Sequence, residues 1–300
     1  MASPARQRLD YALLYTLFLV ARPLPRSWLL ALGRALGSFV WRVVGFRREV
    51  VLDNLRAAFG RERSEQELRA LAAAFYRNLG MTLMEFVALP RLKPADVVDL
   101  VAIEGAEHIE TVARLGRGGL LVSGHFGNWE LLGARVAAEG RPVNFIIKTQ
   151  HNERVDRLQN EIRRGVGIGT IRAGASIKEM ILALRRQEWI GMLADQDAGA
   201  DGVFCEFLGR QASVFRGAAY LAWKLNCPLI TGFIFRRPDG RHLVLVDPPV
   251  EPDRNLPEDE AVRLLTECHV RRLEAAVRRA PEQYFWVHRR WKTRPPEEKP

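Results

Sequence analysis

A short apolar run, Gly119-Leu120-Leu121-Val122-Ser123, breaks at Gly124 and leads into His125-Phe126-Gly127-Asn128-Trp129-Glu130. An imidazole titrates near neutrality and can take the proton of a hydroxyl as general base. A carboxylate five positions on can fix its tautomer and stabilise the imidazolium. The pattern places His125 at the carboxyl end of a strand and Glu130 in the first turn of the next helix. In that setting the pair points to acyl transfer. The spacing alone is common, and Gly124 and Gly127 suit equally a tight turn around a satisfied interior histidine.

Other residues are placed to join such a site. Asp195-Gln196-Asp197 follows the apolar stretch Trp189–Ala194 and so also lies at a strand's carboxyl end. Two carboxylates there can orient a base, bind substrate, hold a metal or cap a loop. No further ligands stand at metal-like spacing, so no metal is expected, and a structural or substrate-orienting role is favoured. Arg163 and Arg164 close a helix just before Gly165-Val-Gly-Ile-Gly169. One suits the helix carboxyl terminus, and the other can reach a phosphate or a developing oxyanion. The glycines follow a helix rather than a strand, which excludes a dinucleotide fingerprint. Tyr284-Phe-Trp-Val-His-Arg-Arg-Trp-Lys292 mixes aromatics with cations. Base stacking, a lipid-phosphate clamp and a packed tail all fit it. With no nucleic-acid-binding module in the chain, no nucleic-acid partner is expected.

These groups need a frame. Strands are predicted at Val101–Glu104, Gly119–Ser123, Pro142–Ile147, Trp189–Ala194, Pro228–Phe235 and His242–Val246, with helices at about 130–139, 152–165, 175–187, 214–226 and 258–279 between them. Before them, Arg47–Phe59 carries one apolar stripe, and Ser64-Glu-Gln-Glu67 has the spacing of a capping box opening a helix to about Phe86. Candidate site residues then collect at strand ends, as in open α/β sheets. The domain reading is an amino-terminal membrane-associated helical segment, 1–45, and a catalytic domain, 46–300.

Composition bounds the partners. Forty-eight per cent of the 300 residues are hydrophobic, enough for a large core. Cys205, Cys227 and Cys268 are scattered and read as reduced, incidental thiols. The net charge of +10 sits at the ends: eight arginines against two acids in 1–50, and eight cations against two acids in 271–294. The middle, 51–270, is neutral, with 28 basic and 29 acidic residues. Basic ends attract phosphates and acidic proteins. Tyr11–Ala21 and Trp28–Val44 are apolar but too short or too interrupted by arginine for a clean span of ~20 residues. Arginine, tryptophan and leucine interleaved in this way fit helices lying in a membrane interface.

In order along the chain, Asn54-Leu55, the block Gly124–Glu130, Arg163-x3-Gly167, Ala194-Asp-Gln-Asp197, Gly202-Val-Phe204…Phe207-x-Gly209-Arg210 and Phe285–Lys292 resemble the bacterial late (secondary) lipid A biosynthesis acyltransferases. The resemblance runs from about residue 8 to 294. It implies a mixed central sheet flanked by helices, of the glycerolipid-acyltransferase kind, with an amino-terminal helical membrane anchor. It further implies an inner-membrane enzyme facing the cytoplasm that needs no cofactor. Its donor would be acyl carrier protein, and its acceptor a 3-hydroxyacyl hydroxyl on a Kdo-bearing lipid A precursor at an anionic membrane surface. Carried over residue by residue, it makes His125 the base, Glu130 its partner and Arg163 the oxyanion or donor residue. Arg164, Asn128, Asp195, Asp197, Arg210, Arg289 and Arg290 are then expected to bind substrate. Two alternatives stay open at this stage: another glycolipid acceptor such as a phosphatidylinositol mannoside, and a non-catalytic membrane-binding protein. The Pro-Glu-Gly-x-Arg type block of glycerol-phosphate acyltransferases is absent.

Overall fold

The computed structural model describes residues 3–174 and 177–295. Eleven α-helices and nine strands follow one another among them: α1 Pro4–Ala21, α2 Arg26–Phe39, α3 Arg48–Phe59, α4 Glu65–Ala88, α5 Pro94–Leu100, β1 Val101–Glu104, α6 Ala106–Ala113, β2 Gly119–Ser123, α7 Trp129–Ala138, β3 Val143–Ile147, α8 Glu153–Arg164, β4 Ile168–Arg172, α9 Ile177–Arg185, β5 Trp189–Leu193, β6 Val203–Phe207, β7 Arg210–Val214, α10 Gly217–Leu225, β8 Leu229–Arg236, β9 His242–Val246 and α11 Glu258–Arg279. The main sheet has the order β1-β9-β8-β2-β5-β3-β4. Its neighbours run parallel except the β8–β9 pair, so the sheet is mixed and the α/β expectation holds.

Central β2 is buried at every position, as a strand covered on both faces must be. Its side chains alternate between two cores. Leu121 joins the core built with α4–α8, while Leu120 and Val122 join the one built with α9–α11. A third core gathers α3, the first half of α4, the end of α11, the β6–β7 hairpin and the carboxyl-terminal aromatics. Ser64 and Glu67 form the predicted capping box, each accepting the other's backbone N–H.

The strands predicted at β1, β2 and β9 match to the residue. Strand β4 was not expected, and neither were α5, α6 or the two-stranded sheet β6–β7. The helix expected from 214 starts at Gly217 because Ser213 and Val214 belong to β7. The first two residues of the helix expected from 175 lie outside the described residues.

Helix α2 is fixed to α4 by close backbone approach: a Cβ on Gly37 would lie 2.0 Å from the Tyr76 carbonyl oxygen. Its other face leaves Trp28 (68% exposed), Leu32 and Phe39 in the open, continued by Val43, Val44 and Phe46. Helix α1 likewise exposes Leu9, Leu13, Tyr15, Leu19 and Val20. Among the described residues no single helix is long and apolar enough to cross a membrane. Only the bent pair Arg26–Val44 and Arg48–Phe59, at 99°, meets the length and composition test together.

Candidate active site

Sheet register brings the key groups together. In the parallel β2–β5 pair, Ser123 lies opposite Leu193. Two residues further along each strand stand His125 and Asp195, level with one another at the same edge. The Asp195 carboxylate grips that one residue twice: Oδ1 is 2.7 Å from His125 Nδ1, and Oδ2 accepts the His125 backbone N–H at 2.9 Å. Gly124 makes room for this, since a Cβ there would meet Leu273 Cδ1 at 2.8 Å and Asp195 Cβ at 3.4 Å.

Burial works to raise the Asp195 pKa. The His125 ring and backbone N–H, helped by Arg290, outweigh it and hold the carboxyl below its ordinary value. An ionised carboxylate accepts only, so Nδ1 carries the ring proton and donates it to Asp195. The free lone pair is then on Nε2, the nitrogen a general base needs. The ring is held between aromatic walls: Phe285 stacks on it with centroids 5.5 Å apart, and Trp129 meets it edge-on at 5.1 Å. The side chain stays 20% exposed, so a substrate hydroxyl can reach it.

The turn itself is tied down from outside. Gly127 has φ +60°, and a Cβ there would fall 1.8 Å from the Ile234 carbonyl oxygen, so only glycine fits. Its N–H donates to the Gln283 carbonyl, and the Phe285 N–H donates to the His125 carbonyl. The carboxyl-terminal segment is therefore a strap across the turn that carries His125. Asn54 holds that strap in turn by donating to the Trp286 and His288 carbonyls.

Glu130 sits where the sequence put it, in the first turn of α7, but its partner differs from the expectation. Arg163 grips it through Nε (3.0 Å to Oε2) and Nη2 (2.6 Å to Oε1), and the imidazole belongs to Asp195 instead. The cause is geometric. Neighbouring parallel strands place their carboxyl ends side by side, whereas the helix carries Glu130 away from the strand axis. Arg163 lies over the Phe86 ring at 5.9 Å and also donates to Asn160. Arg164 points to solvent and donates to the Asn160 carbonyl, so of the two arginines Arg163 is the one beside Glu130.

Several residues expected to bind substrate have their polar atoms engaged inside the protein. Asn128 is 0% exposed; Oδ1 caps α7 at the Leu131 N–H and Nδ2 donates to Glu85. Asp197 accepts from the Thr293 N–H and hydroxyl, and its own N–H donates to His288 Nε2. Arg290 is buried over the Phe207 ring and donates to the Ser213 carbonyl. Asp195 acts on His125. Arg210 lies over the Trp291 ring, and Arg289 is on the surface. Burial raises the Cys205 and Cys227 thiols to about 11, so neither is a ready nucleophile.

An imidazole oriented by a buried aspartate, at the carboxyl edge of an α/β sheet and with no activated Ser or Cys beside it among the described residues, is chemically able to take a proton from a hydroxyl. The family model "Bacterial lipid A biosynthesis acyltransferase" matches residues 2–293, and the chain belongs to that family. It is similar to the lipid A biosynthesis lauroyltransferase of Escherichia coli K12, 32% identical over 280 residues that cover 91% of this chain and 88% of the relative. The palmitoleoyltransferase of the same organism is 26% identical, covering 91% and 87%, and the myristoyltransferase 25%, covering 88% and 80%. The protein is an acyltransferase of lipid A biosynthesis.

Proposed function

We propose that the enzyme moves an acyl chain from the thioester of acyl carrier protein to the hydroxyl of a 3-hydroxyacyl chain on a Kdo-bearing lipid A precursor, at the cytoplasmic face of the inner membrane. The observation that carries this reading is the His125–Asp195 pair with Nε2 left free. Nε2 takes the hydroxyl proton as the oxygen attacks the thioester carbonyl. The new C–O bond forms, the C–S bond breaks, and the imidazolium returns its proton to the departing thiolate. Asp195 keeps the productive tautomer and stabilises the transient cation, as the third member does in hydrolase triads. Arg163, fixed by Glu130 and Asn160, has N–H groups left on both terminal nitrogens for the developing oxyanion or the donor.

The acidic and amphiphilic partners are supported by surface chemistry. The exposed apolar residues of α1 and α2 alternate with Arg22, Arg34 and Arg42, which suits a helix pair lying at headgroup level. Beside α2, a concavity of about 260 Å³ is lined by Arg34, Arg77 and Arg237, with Glu282 the one acid in its lining, while Arg236 at its floor is already paired with Glu85. Phosphates of the acceptor or of anionic lipid match such a surface.

The test is transfer from a lauroyl thioester of acyl carrier protein to the purified precursor in mixed micelles, read by mass spectrometry. A product heavier by one acyl group, formed by the wild type and lost in His125→Ala, is expected. Near-normal turnover of purified His125→Ala would sink the mechanism.

A further inference from the structure

Helix α4 is apolar on its packed face except for a line of three buried polar residues, Asn78, Thr82 and Glu85. Spacings of four and three put them on one side of the helix. Glu85 is 6% exposed and accepts from four side chains drawn from four places. These are Arg26 Nη2 at 2.6 Å, Arg236 Nη1 and Nη2 at 2.8 and 2.6 Å, His242 Nε2 at 3.1 Å, and Asn128 Nδ2 at 2.9 Å. Burial alone would raise this carboxyl; His242 and Arg236 overcome that and keep it ionised. Thr82 accepts from Arg236 at 3.2 Å and donates to the Gly127 carbonyl at 3.3 Å. Arg236 also donates to Asn78.

Two strands of this network end on the two residues that follow His125-Phe126. Thr82 holds the Gly127 carbonyl, and Glu85 holds the Asn128 amide, whose other end caps α7. Nothing in the acyl-transfer chemistry needs a buried carboxylate gripped by two arginines and a histidine. A carboxylate with that many donors is, however, a stiff anchor: withdrawing any one donor leaves the rest in place, while removing the carboxylate leaves the buried Arg236 uncompensated.

We propose that Glu85 is a positioning residue for the reaction. Through Asn128, and in parallel through Thr82, it sets the pose of the turn that aims His125 Nε2. The proposal rests on His125 being the base. It also explains why asparagine, rather than the equally good caps serine or aspartate, stands at position 128. The residue must accept from the Leu131 N–H and donate to a carboxylate at the same time. Serine is too short to do both, and aspartate has no proton to give.

That last point supplies the experiment. Asn128→Asp keeps the helix cap but sets two carboxylates about 3 Å apart in a buried site. Glu85→Gln in the same chain returns a donor–acceptor pair with its direction reversed. Single and double variants are compared in the transfer assay described above, and by hydrogen–deuterium exchange of peptides spanning 124–131. Asn128→Asp should lower kcat about 100-fold with KM for the donor within twofold, the scale of a misplacement near 1 Å. It should also speed exchange in 124–131 while peptides from β3 and β4 stay unchanged. The double variant should regain at least about tenfold in kcat over Asn128→Asp and slow the exchange again. Thr82→Val, which spares the Glu85 ion pairs and will fold even if Glu85→Gln does not, should lower kcat about threefold to tenfold at unchanged KM. An Asn128→Asp enzyme with kcat within twofold of wild type, or a double variant whose losses simply multiply, overturns the positioning role. If the wild type itself transfers nothing, the functional reading fails, and the exchange data alone then judge the positioning.

Discussion

Two carboxylates flank the turn that carries His125, and they are held by different devices. Asp195 comes from the next strand of the sheet, 70 residues away in sequence, and contacts His125 through ring and backbone alike. Glu130 is five residues from His125, one turn into α7, and contacts Arg163. The strand partner is rigid because β2 and β5 share a full register from Gly119↔Trp189 to Ser123↔Leu193. The helix partner is rigid because a bidentate guanidinium–carboxylate pair fixes both position and plane. One carboxylate thus holds the imidazole and the other holds a cation. Closeness along the chain says little about which is which; strand adjacency decides it.

The comparison breaks most cleanly at Asp195. With asparagine there, the side-chain amide donates to Nδ1, the ring proton moves to Nε2, and the base is lost. Asp195→Asn should cost on the order of 10⁴ in kcat, as a wrong-tautomer change does in a hydrolase triad. Glu130→Gln leaves the imidazole untouched and weakens only the hold on Arg163. Turnover should fall about 10- to 100-fold, within the range for losing one electrostatic contact to the transition state. Steady-state transfer rates of the two variants check the order. Equal losses would mean that Glu130 also governs the imidazole in the working complex.

The two arginines at the end of α8 sharpen the second half of the comparison. Arg163→Lys cannot keep a planar two-point grip on Glu130 and should lose about tenfold in kcat/KM. Arg164→Lys, on the exposed side, should stay within twofold. Reversed outcomes would exchange their assignments.

How far could the sequence have led? It placed His125 and Asp195 at strand ends, and β1, β2 and β9 to the residue, because these runs are bounded by clear turn signals. It could not pair His125 with Asp195, since that requires knowing that β5 lies directly beside β2. Strand β4 escaped because Ile168-Gly-Thr-Ile-Arg172 is short and follows a glycine-rich stretch. The β6–β7 hairpin escaped because its two-residue turn is Leu208-Gly209, with φ of +53° and +74°. Asn-Gly or Asp-Gly would have announced such a turn, and leucine does not. Asn128 and Arg290 read as substrate ligands because polar residues in motif blocks invite that, yet burial assigns both to internal bonds. The stripe Asn78-x3-Thr82-x2-Glu85 was legible in principle. Polar residues recurring on an apolar helix face are a signal of a buried network, whatever the network does.

The smallest expected effect concerns what stands near Asp195. His269, on α11, is buried, with the Leu265 backbone one turn back as its nearest polar contact. Burial lowers its pKa to about 4 from an ordinary 6.5. The folded protein thus keeps this ring neutral where the unfolded chain would protonate it, so the unfolded state binds more protons and stability must rise with pH. The contribution is fully present above about pH 6.5 and is lost as pH falls toward 4, about 3 kcal/mol in all at 1.36 kcal/mol per pKa unit. Asp195 follows the other rule for a depressed carboxyl. Its contribution is held above its unfolded pKa of about 3.9 and is lost only below that, as pH falls through its folded value. The two windows hardly overlap. His269→Leu should therefore flatten the decline between pH 6.5 and 4 and leave the fall below pH 4 in place. A residual slope in the upper window is expected from His242 and His288, whose pKa values burial also lowers. Urea midpoints of both proteins across that range, at constant m-value, measure the difference. A slope unchanged by His269→Leu would mean that another group carries the upper window.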